Sequence, residues 1–149
     1  RLTIAGTGPE LDALRALAGE LGVAGAVAFV GRLERDAVAA LYREADVALN
    51  PSTVDNMPNS VLEALASGVP VVSTDVGGVP HIVRDGASAL LVPPRDPQAM
   101  AAAVMRLLGD AVEAQRLSAA GLELSRNFTW PRVAPSLAAV YSQAAAARP

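Results

Sequence analysis

Short apolar segments alternate with longer amphipathic ones along this chain. The apolar segments predict five β-strands, each followed by glycine, proline or aspartate, near residues 2–5, 26–30, 46–50, 69–74 and 89–92. Elsewhere apolar residues recur every three or four positions, which predicts helices near residues 9–21, 34–45, 59–67, 96–108, 112–125 and 131–148. Pro9 suits the first position of the first helix. Strands that alternate with helices indicate an α/β fold with a Rossmann-like, doubly wound parallel sheet.

The composition predicts one compact domain with an aliphatic core. The chain has 149 residues, of which 52% are hydrophobic but only 3% are aromatic. Leucine, valine and alanine must therefore fill the interior, which favours helices packed on a sheet over an aromatic-rich β-sandwich.

Charge and residue usage exclude several classes of function. All 12 basic residues are scattered arginines and the net charge is −3, so a nucleic-acid surface is not expected. With no cysteine and one histidine, we expect neither a disulfide nor a metal site, and no cofactor. No apolar run approaches the roughly 18 residues of a membrane-spanning helix. We therefore expect a cytoplasmic protein, and peripheral association of a longer parent protein with a membrane stays open.

The segment 51–73 carries the most specific chemistry. Asp55 lies in a loop, and Glu63 follows eight residues later, one turn inside the next helix. Backbone amides at the start of that helix, in residues 59–61, favour an anion. Carboxylates for sugar hydroxyls on either side of a phosphate site suit a nucleotide sugar. The alternative is that Asp55 is a turn residue and Glu63 an ordinary solvated position; spacing alone does not choose between them.

The wider segment resembles the donor-binding motif of retaining glycosyltransferases of the GT-B fold. This large family includes sucrose and capsule-sugar transferases, some of which build cell-envelope polysaccharides. Its motif has two acids separated by seven residues, then Glu-Ala-x-Ala-x-Gly-x-Pro-Val-Val, here residues 63–72. Further similarities follow in the family's order at residues 4–9, 30–33, 45–47, 77–80, 85–86, 90–94, 96–97 and 128–130.

The resemblance implies that residues 1–149 are the donor-binding C-terminal half of such an enzyme, with 128–149 as a closing helix towards an N-terminal domain that supplies the acceptor site. By similarity, Glu63 binds the ribose, and the backbone amides of Ser60, Val61 and Leu62 bind phosphate. The transferred sugar would contact Asp55, Asn56, Met57, Pro58 and Asn59. The nucleotide base would contact Gly31, Arg32 and Leu33. No catalytic residue is assigned within this chain.

Three departures from the family pattern affect these assignments. Asp55 stands where the family usually has glutamate, the loop 56–59 lacks the usual glycines, and His81 replaces a glutamate. We interpret His81 as a structural or surface residue rather than a catalytic base. The donor sugar is therefore not identified.

The resemblance also implies missing parts. Nothing in the chain matches the family's first strand and helix, which carry an Arg and a Lys for the diphosphate, and the chain has no lysine. We predict either that residues precede Arg1 in the natural protein or that the sheet is interrupted between the strands at Leu2 and Val47. The chain by itself is then expected to bind nucleotide weakly and to lack activity.

The parent would transfer a sugar from a nucleoside diphosphate donor, with retention and without a metal. A non-catalytic module of the same fold is the main alternative, and an epimerase fits the Glu63 segment less well. A nicotinamide site at Gly6 and Gly8 is disfavoured because Leu11 replaces the third glycine and no acid ends the next strand.

Overall fold

The computed structural model describes residues 1–146, and the predicted alternation of strands and helices is present. The elements are β1 (Leu2–Ala5), α1 (Leu11–Glu20), β2 (Val27–Gly31), α2 (Arg35–Arg43), β3 (Ala48–Asn50), α3 (Asn59–Ala66), β4 (Val71–Thr74), α4 (Val79–Ile82), β5 (Leu90–Val92), α5 (Pro97–Gly109), α6 (Ala111–Ser125) and α7 (Trp130–Ala146), with short 3₁₀ turns at Ala24–Ala26 and Arg126–Phe128. The end of the predicted last helix, 147–149, lies outside the described residues.

The chain divides into two compact units, Arg1–Ala40 and Leu41–Pro149. Among the described residues, the strands form two separate parallel sheets, one of β1 and β2 and one in the order β3–β4–β5. No continuous sheet joins these strands, so the second of the two predicted alternatives, an interruption between the strands at Leu2 and Val47, is observed.

The first unit is a parallel β1–β2 pair with α1 as its crossover. Leu2 pairs with Val27 and Ile4 with Phe29. Helix α1 begins at Leu11, so the prediction that Pro9 is its first residue is wrong; Pro9 lies in a turn closed by the Leu11 N–H donating to the Gly8 carbonyl at 3.2 Å. Only Ala18 is buried within α1.

The second unit contains the hydrophobic core. Strand β4 is buried along its whole length, and neighbouring residues face opposite sides of the sheet. Val71 packs into a cluster with residues of α3 and α4, whereas Val72 packs into a second cluster with Leu107 of α5 and Leu117 of α6. Both faces of the sheet are thus covered by helices, as in a doubly wound fold. The core is aliphatic, as predicted.

Two differences from the predicted elements concern the second unit. Strands β3 and β4 begin two residues later than predicted, at Ala48 and Val71, because pairing starts at those residues. The short helix α4 was not predicted. It follows Gly77 and Gly78, which pack against another loop, so its position depends on contacts that are distant in sequence.

Candidate functional site: the loop between β3 and α3

Residues 51–58 form a loop at the carboxyl ends of β3 and β4. The Thr74 hydroxyl donates to the Ser52 carbonyl at 2.5 Å, which ties the loop to the end of β4. Asn50 of β3 pairs with Ser73 of β4. Ligands of open α/β sheets bind outside the carboxyl ends of the strands, so the loop is positioned for binding.

A chain of polar side chains reaches Asp55 from the sheet. The Asn50 amide lies 3.1 Å from Ser73 Oγ, and Ser52 Oγ lies 3.0 Å from Asn50 Oδ1 and 3.3 Å from Asp55 Oδ2. Asn50 and Ser73 are buried, and Asp55 is half-buried. Sequence reasoning missed Asn50, Ser52 and Ser73, although their places at strand ends were a signal.

Gly77 and Gly78 hold the same loop from its other side. The Gly78 N–H donates to the Asp55 carbonyl at 2.8 Å. A Cβ on Gly77 would lie 2.0 Å from the Asp55 carbonyl oxygen, and one on Gly78 would lie 1.6 Å from that of Asn56. Gly77 also has φ +51°, which disfavours other residues. This close approach explains why a glycine pair stands after β4.

The amino end of α3 offers fewer open amides than the sequence predicted. The helix begins at Asn59, and the N–H groups of Val61 and Leu62 both donate to the Pro58 carbonyl, at 3.1 and 3.2 Å. The N–H groups of Asn59 and Ser60 make no hydrogen bond within residues 1–146. Of the three amides predicted to bind phosphate, Ser60, Val61 and Leu62, only Ser60 is therefore open, and Asn59 is the second open amide.

Glu63 lies on the exposed side of α3, opposite the buried side chains of Val61 and Leu65. Its carboxylate forms no ion pair in the part of the chain that the structure describes. The Tyr42 hydroxyl donates to the Ser60 carbonyl at 3.0 Å. The pKa of Tyr42 is raised, first by burial and then by the nearby Glu63 carboxylate. Ribose binding and an ordinary surface position both allow this placement, so the role of Glu63 stays a prediction.

The other predicted site residues are divided between the two units. Gly31 ends β2 in the first unit with φ +70°, and its carbonyl accepts from the Gly6 N–H at 2.7 Å. Arg32 is exposed and Leu33 half-buried, just after that strand end, as predicted. In the second unit, His81 is exposed on α4, and Asn56 and Met57 are exposed whereas Pro58 is buried.

Two features of the described residues bear on the kind of site. Within residues 1–146, no three histidine, cysteine, aspartate or glutamate side chains gather as a metal would require. None of the described helices combines the length and apolarity that crossing a bilayer demands.

Comparison with known proteins identifies the family. The model for the family "Glycosyl transferases group 1" matches residues 1–110. The chain belongs to this family. The group 1 glycosyltransferase assignment agrees with the GT-B resemblance of the sequence.

Relatives of this group 1 glycosyltransferase chain are considerably longer. It is 40% identical over 139 residues to D-inositol 3-phosphate glycosyltransferase of Acidothermus cellulolyticus, covering 93% of this chain and 31% of that protein. It is 39% identical over 141 residues to glycogen synthase of Mycobacterium tuberculosis, covering 94% and 34%. The chain thus spans about a third of the length of these relatives.

Solved structures confirm the fold. Sucrose-phosphate synthase from Thermosynechococcus elongatus superposes with a TM-score of 0.90 at 32% identity, over 99% of this chain and 39% of that one. HepE from Anabaena in complex with UDP-glucose superposes with a TM-score of 0.87 at 20% identity, over 95% and 40%. At that identity the second comparison shows the fold alone.

Proposed function

We propose that this chain is the donor-binding part of a longer glycosyltransferase and that it binds a nucleoside diphosphate sugar at the amino end of α3. The observation that carries the proposal is the pair of open amides, Asn59 and Ser60, flanked along the chain by two carboxylates, Asp55 and Glu63. Unpaired helix-start amides and the helix dipole attract phosphate. Carboxylates accept hydrogen bonds from sugar hydroxyls.

Each part of the donor has its own partner in this proposal. The Glu63 carboxylate accepts from both ribose hydroxyls, since its two oxygens suit two adjacent donors. The amides of Asn59 and Ser60 hold the phosphate next to the transferred sugar. Asp55 accepts from a hydroxyl of that sugar, with Asn56, Met57, Pro58 and Asn59 around it. The family resemblance assigns the base to Gly31, Arg32 and Leu33 of the first unit, through backbone contacts and stacking, and this is a separate proposal.

The reaction we propose for the longer protein is transfer of the sugar to an acceptor with retention of configuration and without a metal or cofactor. The diphosphate leaves with growing negative charge, and the open amides of α3 stabilise that charge. Two amides do not neutralise a diphosphate. The family resemblance assigns an Arg and a Lys for the diphosphate, and the acceptor site, to segments that match nothing in this chain, so we expect them from another part of the longer protein.

The choice of nucleotide is open, and the relatives suggest where to begin. The structures of HepE contain UDP and UDP-glucose. We therefore take UDP and its sugars as the first ligands, with GDP and ADP as the alternatives.

Isothermal calorimetry with UDP, GDP and ADP tests the proposal. The chain is expected to bind at least one diphosphate weakly, and Glu63→Ala is expected to weaken that binding roughly ten- to hundredfold, the loss of charge-assisted hydrogen bonds worth roughly 1.5–3 kcal/mol. Glu20→Ala is the control, because Glu20 is also helical and exposed. Binding that Glu63→Ala leaves unchanged would overturn the proposal.

A further inference from the structure

Hydroxyl and amide groups connect the Asp55 carboxylate to the interior of the sheet. We call Ser73, Asn50, Ser52 and Asp55 the polar chain, in that order from the buried end to the loop. The first two side chains are 0% and 8% exposed, so their polar atoms must find partners within the protein. The three links measure 3.1, 3.0 and 3.3 Å.

A count of protons gives the polar chain a direction. Ser52 has one hydroxyl proton and therefore donates either to Asn50 or to Asp55. The carboxylate is the stronger acceptor, since charge-assisted hydrogen bonds are about twice as strong as neutral ones. At the buried end, Asn50 Nδ2 donates to Ser73 Oγ, and the Ser73 hydroxyl in turn donates to the backbone carbonyl of Asn50 or Thr74, at 3.4 and 3.3 Å. At the loop end, we therefore assign the Ser52 proton to Asp55.

The hydrogen bond from Ser52 makes the two carboxylate oxygens of Asp55 different. Oδ2 accepts from Ser52, whereas Oδ1 has no partner among residues 1–146. The backbone of the loop is anchored without the Ser52 side chain, through Thr74 to the Ser52 carbonyl at 2.5 Å and through Gly78 to the Asp55 carbonyl at 2.8 Å. Removing the Ser52 hydroxyl should therefore release the carboxylate but not the loop.

We propose that Ser52 is a positioning residue that fixes Asp55 for the sugar part of the donor. The inference rests on the function proposed above, in which Asp55 contacts the sugar and Glu63 the ribose. Ser52 holds Oδ2 and thereby points Oδ1 at one sugar hydroxyl. Its loss weakens the binding of the nucleotide sugar and leaves the binding of the nucleoside diphosphate unchanged.

The experiment measures how much the sugar adds to affinity. The probes are UDP-glucose, GDP-mannose and ADP-glucose with the matching diphosphates, and the pair that the wild-type chain binds is used throughout. Ser52→Ala is expected to reduce the affinity ratio of nucleotide sugar to diphosphate about three- to tenfold, the size of the net contribution of one ordinary hydrogen bond. Ser52→Thr keeps a hydroxyl and is expected to retain most of the ratio.

Ser118→Ala is the matched control. The Ser118 hydroxyl is also partly buried and donates to the Gly68 carbonyl at 2.6 Å, so its removal costs a comparable hydrogen bond away from the loop. It is expected to lower thermal stability without changing the affinity ratio. If Ser52→Ala changes both affinities equally, as a general loss of stability would, the inference is wrong.

A double-mutant cycle with Asp55→Ala tests the link itself. Because Ser52 is proposed to act only through Asp55, the Ser52 substitution is expected to have no further effect on the ratio in the Asp55→Ala background. Additive effects of the two substitutions on the affinity ratio would overturn the inference. So would a wild-type chain that binds the nucleotide sugar and the diphosphate with equal affinity. If either outcome occurs while Glu63→Ala still weakens the binding of the diphosphate, the proposed nucleotide site stands. Loss of that Glu63 effect would remove the proposed function and this inference together.

Discussion

Gly78→Ala tests the packing that shapes the donor loop. Gly78 has φ −83° and ψ −12°, which alanine adopts without strain, so the effect comes from the added methyl alone. That methyl would lie 1.6 Å from the Asn56 carbonyl oxygen and 2.6 Å from its carbon, whereas such contacts are essentially never under 3.0 Å. The loop 51–58 must therefore move by more than an ångström.

The size of the effect follows from the atoms that collide. A methyl forced against backbone costs about 1–3 kcal/mol of overpacking. For a domain of this size, each kcal/mol lowers the melting temperature by roughly 2–4 °C. Because Asp55 and Asn56 move with the loop, we also expect the affinity for a nucleotide sugar to fall by at least about tenfold, or 1.4 kcal/mol. Affinity for the diphosphate, held by Ser60 and Glu63, should fall less.

Circular dichroism melting and calorimetry with UDP and UDP-glucose measure the two effects of Gly78→Ala. Gly109→Ala is the control, because a Cβ on Gly109, the last residue of α5, meets nothing within 4 Å. A Gly78→Ala protein that has the melting temperature of the wild type and still prefers UDP-glucose to UDP would refute the described packing.

Three further predictions concern stability. The raised pKa of Tyr42 means that its neutral form stabilises the fold fully below its ordinary pKa of about 10, and that this stability is lost as the pH rises through the raised value. Tyr42→Phe should therefore show a smaller alkaline loss of stability in pH-dependent urea melts, and the chain contains no lysine or cysteine to complicate the comparison. Asp96→Ala should cost about 1 kcal/mol in urea unfolding, because the Asp96 side chain caps α5; an unchanged midpoint would contradict this. Gly121→Ala should lower stability despite a helix-propensity gain of up to about 1 kcal/mol, because its Cβ would lie 2.5 Å from buried Leu65; a higher melting temperature would show that Leu65 can move aside.

Local patterns predicted the fold well because they report local causes. Each of the five strands ends at or just before a glycine, proline or aspartate, and Asp96 accepts from the Ala99 N–H at the start of α5. Boundaries that depend on other elements were less predictable. Strand β3 starts at Ala48, where its pairing with Val71 of β4 begins. Helix α4 follows Gly78, whose N–H donates to the Asp55 carbonyl in the loop 51–58.

The site was predictable in its outline but not in its hydrogen bonds. Asp55 lies in a loop and Glu63 inside the following helix, as their sequence context predicted. Which amides stay open depends on Pro58, whose carbonyl accepts from both Val61 and Leu62. The link from Asp55 to the sheet was missed because Asn50 and Ser73 meet across a separation of 23 residues.

The most direct test of the account is a titration of the isotope-labelled chain with UDP, followed by amide NMR. The central claim is that the diphosphate binds at the two open amides of α3. We therefore predict that the largest shifts occur at Asn59 and Ser60, exceed those at Val61 and Leu62, and need at least about tenfold more UDP to saturate with Glu63→Ala. Largest shifts at Gly6 and Gly8 instead, with α3 unchanged, would contradict the account.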